Sequence, residues 1–136
     1  MVKMRATYQG QKHCELYHEP SQSIIATDAP KDNHGKGELF SPTDLIGASL
    51  VSCILTTMAI AAEARNWKIE GANGEVTKEM SPSPRRIAKL SVTLNLPIAL
   101  HHEQRHFLEE VANTCPVKRS LHPEVQVDVV IRYNVA

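Results

Sequence analysis

The chain has 136 residues, 42% of them apolar and 22% charged, and its 15 basic residues balance its 15 acidic ones. That is the size and mix of one globular domain spanning 1–136, and it excludes a disordered or collagen-like polymer. Zero net charge with only two Phe, one Trp and three Tyr argues against a nucleic-acid partner, which needs a basic face and stacking rings.

Residues 2–8 alternate through Val2, Met4, Ala6 and Tyr8, which predicts a strand. Gln9-Gly10-Gln11 predicts a turn, and 12–18 and 22–27 read as two further short strands of an antiparallel meander. Residues 28–41 gather Asp, Pro, Asn, Gly and Ser into a loop. A helix then starts with Ser41 as N-cap and Pro42 at the first helical position, where its missing N–H costs nothing. Asp44 falls at the third position, where a carboxylate closes an approximate capping box and suits the helix dipole. This helix should run to about Arg65.

Leu45 to Ala62 is a run of eighteen uncharged residues, close to the length of a membrane span. It carries Ser49, Ser52, Thr56 and Thr57, is bounded tightly by Asp44 and Glu63, and has no Lys/Arg cluster or Trp/Tyr belt. The expectation is therefore no membrane partner. A helix apolar almost all round belongs in a soluble core or an oligomer interface.

Gly71, Asn73 and Gly74 break the chain before a strand near 75–80, and Ser81-Pro82-Ser83-Pro84 predicts a turn. From Ile87 the strict alternation of Leu90, Val92, Leu94 and Leu96 predicts a strand that Pro97 ends. Residues 101–113 predict a helix with Phe107, Leu108, Val111 and Ala112 facing inward, and Cys115-Pro116 opens a short helix, 116–121. The alternation Val125, Val127, Val129, Ile131, Tyr133, Val135 predicts a final strand, expected antiparallel. Strands flanking two main helices make the class α+β.

Three cysteines cannot close a disulfide framework, and the N-terminus has no apolar leader, so a reducing, cytoplasmic setting with free thiols is expected. Cys53 lies midway along the apolar helix on a face with Ile46, Ser49, Leu50, Thr56, Thr57 and Ile60. On helical context alone it is either a small core hydrophobe or a thiol in a mildly polar stripe. Cys115 takes the N-cap position ahead of Pro116, where free N–H groups, Lys118 and Arg119 favour a thiolate; an incidental cap is the alternative. Cys14, in a short strand, reads as packing. His102 and His106 stand four apart on one helix beside His101; the helix is otherwise polar on that side, so they read as a solvated face and no metal is expected. No Walker A, GxGxxG or GxSxG string is present, and no cofactor is expected.

The runs SPTDLIGASLVSCILTTMAI (41–60) and ANTCPVKRSLHPEV (112–125), with cysteines 62 residues apart, resemble the OsmC/Ohr family of thiol-dependent hydroperoxide reductases. The resemblance covers nearly the whole chain. It implies an OsmC-like fold: antiparallel sheets around two long central helices, in an intertwined homodimer. It also implies that Cys53 is the peroxidatic thiol and Cys115 the resolving one. The implied substrate is an organic hydroperoxide, and the implied reductant is a dithiol of the lipoyl type. The family's hairpin Arg has no counterpart in Gly10-Gln11-Lys12-His13, and its helix-start Glu corresponds to Thr43, with the acid moved to Asp44. Asp44 is retained as a catalytic candidate beside its capping role, although it lies about 13 Å along the axis and half a turn from Cys53. Arg5, Arg85 and Arg86 are the candidates for activating Cys53. The other function open to such a chain is a small-ligand-binding or redox-sensing protein without peroxidase turnover.

Overall fold

A computed structural model describes residues 1–133. By internal contacts the chain forms two compact units, Met1–Ile46 and Gly47 onward.

The first unit is a three-stranded antiparallel meander, β1 (Met4–Gly10), β2 (His13–His18) and β3 (Ser23–Asp28), in that spatial order. The β1–β2 turn is Gln11-Lys12, with φ of 55° and 61°. Two successive left-handed residues give the turn twist that matches paired strands. His13 stands opposite Asp28, so the end of β3 returns beside the start of β2. That pairing anchors the following loop. The Asp28 carboxylate accepts from His13 Nδ1 at 2.7 Å and from the Glu38 N–H at 3.1 Å, while the Asp28 N–H donates to the Phe40 carbonyl. The loop, with a short 3₁₀ turn at Lys31–Asn33, is thus closed on one buried acid. Gly35 is required there, because a Cβ would stand 1.8 Å from the Ala29 carbonyl oxygen.

Helix α1 (Pro42–Glu63) begins where the sequence places it. Ser41 Oγ accepts from the Asp44 N–H at 3.0 Å, and Asp44 Oδ2 accepts from the Ser41 N–H at 2.9 Å, which is a complete capping box. Gly47, Leu50, Ile54, Met58 and Ala62 form its buried stripe. One chain covers only this stripe, so of the two settings expected for the helix, a soluble core or an oligomer interface, a single chain's core accounts for part of the helix. Its most apolar 18-residue window has a mean hydropathy of 2.1, long and apolar enough for a membrane span by length and composition, yet only 28% of that window is buried in one chain. Ile46 and Ile60 stand 40% and 67% exposed.

In the second unit, β4 (Asn73–Pro82) and β5 (Arg85–Leu96) form a long hairpin, and β6 (Gln126–Tyr133) lies on the other side of β5. Alternate β5 residues Leu90, Val92, Leu94 and Leu96 are almost fully buried and meet the α1 stripe and Leu108 in one core. β6 runs parallel to β5, not antiparallel as expected. Alternation of Val127, Val129 and Ile131 fixes which face is inward but not strand direction. The direction comes from the crossover through α2 (His102–Ala112) and α3 (Pro116–Ser120), since a helical connection carries the chain back to the end where β5 began. Val135 of the expected final strand lies outside the described residues. The segment that follows α1 is tied to the middle of α2 by Arg65, whose guanidinium sits 3.7 Å over the Phe107 ring, and by Trp67 edge-on to Phe107 at 6.0 Å.

Candidate functional site

Two cysteines meet where α3 starts against α1. Cys53 is carried on the flank of the buried stripe, next to Leu50 and Ile54, and is partly exposed. Cys115 is the N-cap of α3 and is fully buried. Its placement follows from the sequence: Pro116 at the first helical position has no N–H, so the first free donors of α3 belong to Val117 and Lys118. Both donors act on Cys115, and the Val117 N–H acts on Cys53 as well. The Lys118 N–H points to Cys115 Sγ at 3.5 Å, and the Val117 N–H reaches the Cys53 sulfur. Thr57 Oγ1 stands 3.9 Å from Cys53 Sγ, one helical turn further along α1.

The two thiols are driven apart in acidity. Burial disfavours a Cys53 thiolate, but hydrogen bonds from the Cys115 thiol, the Val117 N–H and the Thr57 hydroxyl outweigh it and hold the Cys53 pKa below its usual value. Burial pushes the Cys115 thiol up, and its own hydrogen bond to Cys53 pushes it further, against the Lys118 N–H. The sequence leaves Cys115 open between a helix-end thiolate and an incidental cap; burial favours its thiol form. The N-cap sulfur is too deeply buried to profit, and the thiol one hydrogen bond away gains the benefit. The arrangement favours the thiolate at Cys53 and the thiol at Cys115.

The other sequence candidates fall elsewhere. Asp44 completes the cap at Ser41. Arg5 pairs with Glu19 at 3.3 Å and stacks on Tyr17, and Arg86 pairs with Glu124 at 3.4 Å. Among the described residues, the groups acting on Cys53 are neutral donors, and neither Arg85 nor Arg86 is one of them. The Lys12 N–H donates to Tyr8 Oη within the hairpin. Cys14 pairs across the meander with Tyr8 and Thr27. His106 bonds Glu110 at 3.2 Å on the exposed side of α2, and no group of three metal-ligating side chains occurs among the described residues. The donor that sequence reasoning missed is the Val117 backbone. The Cys-Pro pair carried its signal, because Pro116 passes the first free N–H to Val117.

An α+β chain with this order of elements, a thiol on its long helix and a second at the N-cap of α3 has the architecture of OsmC-like proteins. Residues 35–130 match the family model described as OsmC-like protein. A Psychrobacter arcticus protein, described as an osmotic stress induced and detoxification response protein, is 40% identical over 97% of this chain and 96% of its own, with a TM-score of 0.93. An OsmC-like protein from Mycoplasma pneumoniae is 18% identical over 98% of this chain and 96% of its own, with a TM-score of 0.82. An organic hydroperoxide resistance protein from Legionella pneumophila is 18% identical over 97% and 96%, with a TM-score of 0.70. Among curated proteins none matches this sequence. The chain belongs to the OsmC-like family, and its fold is the α+β fold of that family.

Proposed function

We propose that this protein reduces organic hydroperoxides through a two-thiol cycle, as a single OsmC-like domain in a cytoplasmic homodimer. The observation that carries the reading is that Cys53 and Cys115 come together in one core, with the thiolate favoured at Cys53 and the thiol at Cys115. The Cys53 thiolate attacks the distal oxygen of the hydroperoxide, the O–O bond breaks, and the alkoxide leaves and takes up a proton. Cys53 is then a sulfenic acid. The Cys115 thiol attacks that sulfur, water leaves, and a disulfide joins the two residues. An external dithiol of the lipoyl type reduces this disulfide and becomes oxidised itself. The net change is hydroperoxide plus dithiol to alcohol, water and cyclic disulfide. The cycle needs no metal or organic prosthetic group.

The hydroperoxide-resistance name of the Legionella relative supports the theme. The half-uncovered α1 supports the dimer, since Ile46 and Ile60 would gain cover from a second copy. Asp44 enters the scheme as the cap that sets the first turn of α1. The test is the intact mass of the reduced protein before and after one equivalent of cumene hydroperoxide, with peptide mapping. Rapid loss of two hydrogens mapped to Cys53–Cys115 is expected. Both thiols remaining free after minutes, or a Cys53→Ser variant with full turnover, would overturn the proposal.

A further inference from the structure

Cys53 has no cationic partner among the groups that act on it in the described residues. Lys118 Nζ bonds Asn113 Oδ1, Arg86 pairs with Glu124, and Arg65 lies over the Phe107 ring. Three neutral donors bear on the sulfur. Two come from α3, the Cys115 thiol and the Val117 N–H; the third, Thr57, comes from α1 itself. The α3 donors are set by its Cys-Pro start. Thr57 is the one donor that a side-chain substitution can remove without disturbing α3 or the second thiol.

The two adjacent threonines of α1 are used differently. Thr56 is exposed and its hydroxyl donates to the Ser52 carbonyl at 2.7 Å, which is ordinary mid-helix back-bonding. Thr57 is half-buried and its hydroxyl stands 3.9 Å from Cys53 Sγ. A helical Thr divides between two χ1 rotamers, one of which bonds the preceding turn's carbonyl as Thr56 does; Thr57 takes the one that faces the Cys53 sulfur. We propose that Thr57 is a positioning residue for Cys53: its hydroxyl donates to the Cys53 sulfur from one turn away and holds it against the first turn of α3. The inference deepens the two-thiol reading by naming what stands in for a charged activator.

The experiment is the pH dependence of alkylation of the fully reduced chain by iodoacetamide, resolved per cysteine by peptide mass mapping. It uses no peroxide, so it stands apart from turnover. Thr57→Val keeps the branch and removes the donor. It should raise the Cys53 midpoint and slow alkylation at neutral pH about 2-fold, less than loss of the Cys115 thiol does, because a smaller fraction is thiolate. Thr57→Ser should keep the wild-type midpoint, and Thr56→Val should leave it unmoved. An unshifted midpoint in Thr57→Val, or an equal shift in Thr56→Val, overturns the inference. If circular dichroism shows Thr57→Val unfolded, Thr57→Ala is judged by the same two outcomes. A Thr57-dependent midpoint in a wild-type chain that turns over no hydroperoxide would support the role of Thr57 and overturn the peroxidase reading alone.

Discussion

The Cys115 thiol donates its hydrogen bond to the Cys53 sulfur from a position solvent does not reach. In the proposed cycle an oxidant that enters from outside meets the partly exposed Cys53 first, and Cys115 acts on what Cys53 becomes. The same hydrogen bond ties the titrations together. It stabilises the thiolate form of Cys53 and the thiol form of Cys115, so loss of either partner moves the other.

Cys115→Ala should raise the Cys53 midpoint and slow its alkylation at pH 7 about 3–10-fold. Exposed to excess hydroperoxide, this variant should accumulate sulfinic acid at Cys53, since no thiol is in reach to trap the sulfenic acid. Per-site alkylation rates and peptide masses check both outcomes. In the reciprocal variant, Cys53→Ala, the Cys115 midpoint should fall part of the way back, with burial still holding it above the ordinary thiol range.

Much of this was readable beforehand, and what was not has a physical reason. The α1 start was legible because Ser41, Pro42 and Asp44 each satisfy a local rule that needs no tertiary partner. The faces of β5 and β6 were legible from alternation. The direction of β6 was not, because side-chain periodicity is the same for a parallel and an antiparallel neighbour. The cysteine pair was legible as two motifs at a spacing. Which thiol is the more acidic was not, since that turns on burial: helix-end chemistry favours Cys115 locally, and full burial overrides it.

Asp28 gives a pH-dependent clasp. Its pKa is held below the usual carboxylate value, first by the His13 hydrogen bond, against some burial and with help from the Glu38 N–H. A carboxyl lowered on folding contributes stability that is present above its unfolded pKa and lost as pH falls through the folded one. Asp28→Asn should therefore lower the Tm at neutral pH and flatten the fall of Tm on the acid side. Tm measured by differential scanning calorimetry from pH 7 to pH 3 reads this directly; parallel curves for the two proteins would contradict it. Amide exchange should also quicken at Glu38, whose N–H loses a charged acceptor.

The Asp44 cap predicts a loss of stability separable from chemistry. Asp44→Ala removes the acceptor of the Ser41 N–H and a carboxylate from the first turn of α1. The expected cost is about 1 kcal/mol in urea unfolding. The Cys53 alkylation midpoint should stay in place, because none of the three donors to that sulfur is touched. A midpoint shift in this variant would assign Asp44 a part in the thiol site.

Gly47 is the position where α1 leaves stability unused. It sits in the buried stripe, and a Cβ there would stand 3.5 Å from Leu90 Cδ2 and 3.7 Å from Val76 Cγ2, ordinary van der Waals distances. Glycine inside a helix costs roughly 0.5–1 kcal/mol against alanine, through the freedom it loses on folding. Gly47→Ala should thus stabilise the chain by about that amount in urea unfolding, with an unchanged m-value. Gly35→Ala, by contrast, should destabilise it, because its Cβ would fall on the Ala29 carbonyl and the backbone must move. If Gly47→Ala were destabilising instead, α1 would have to approach the sheet more closely than the 3.5 Å contact allows.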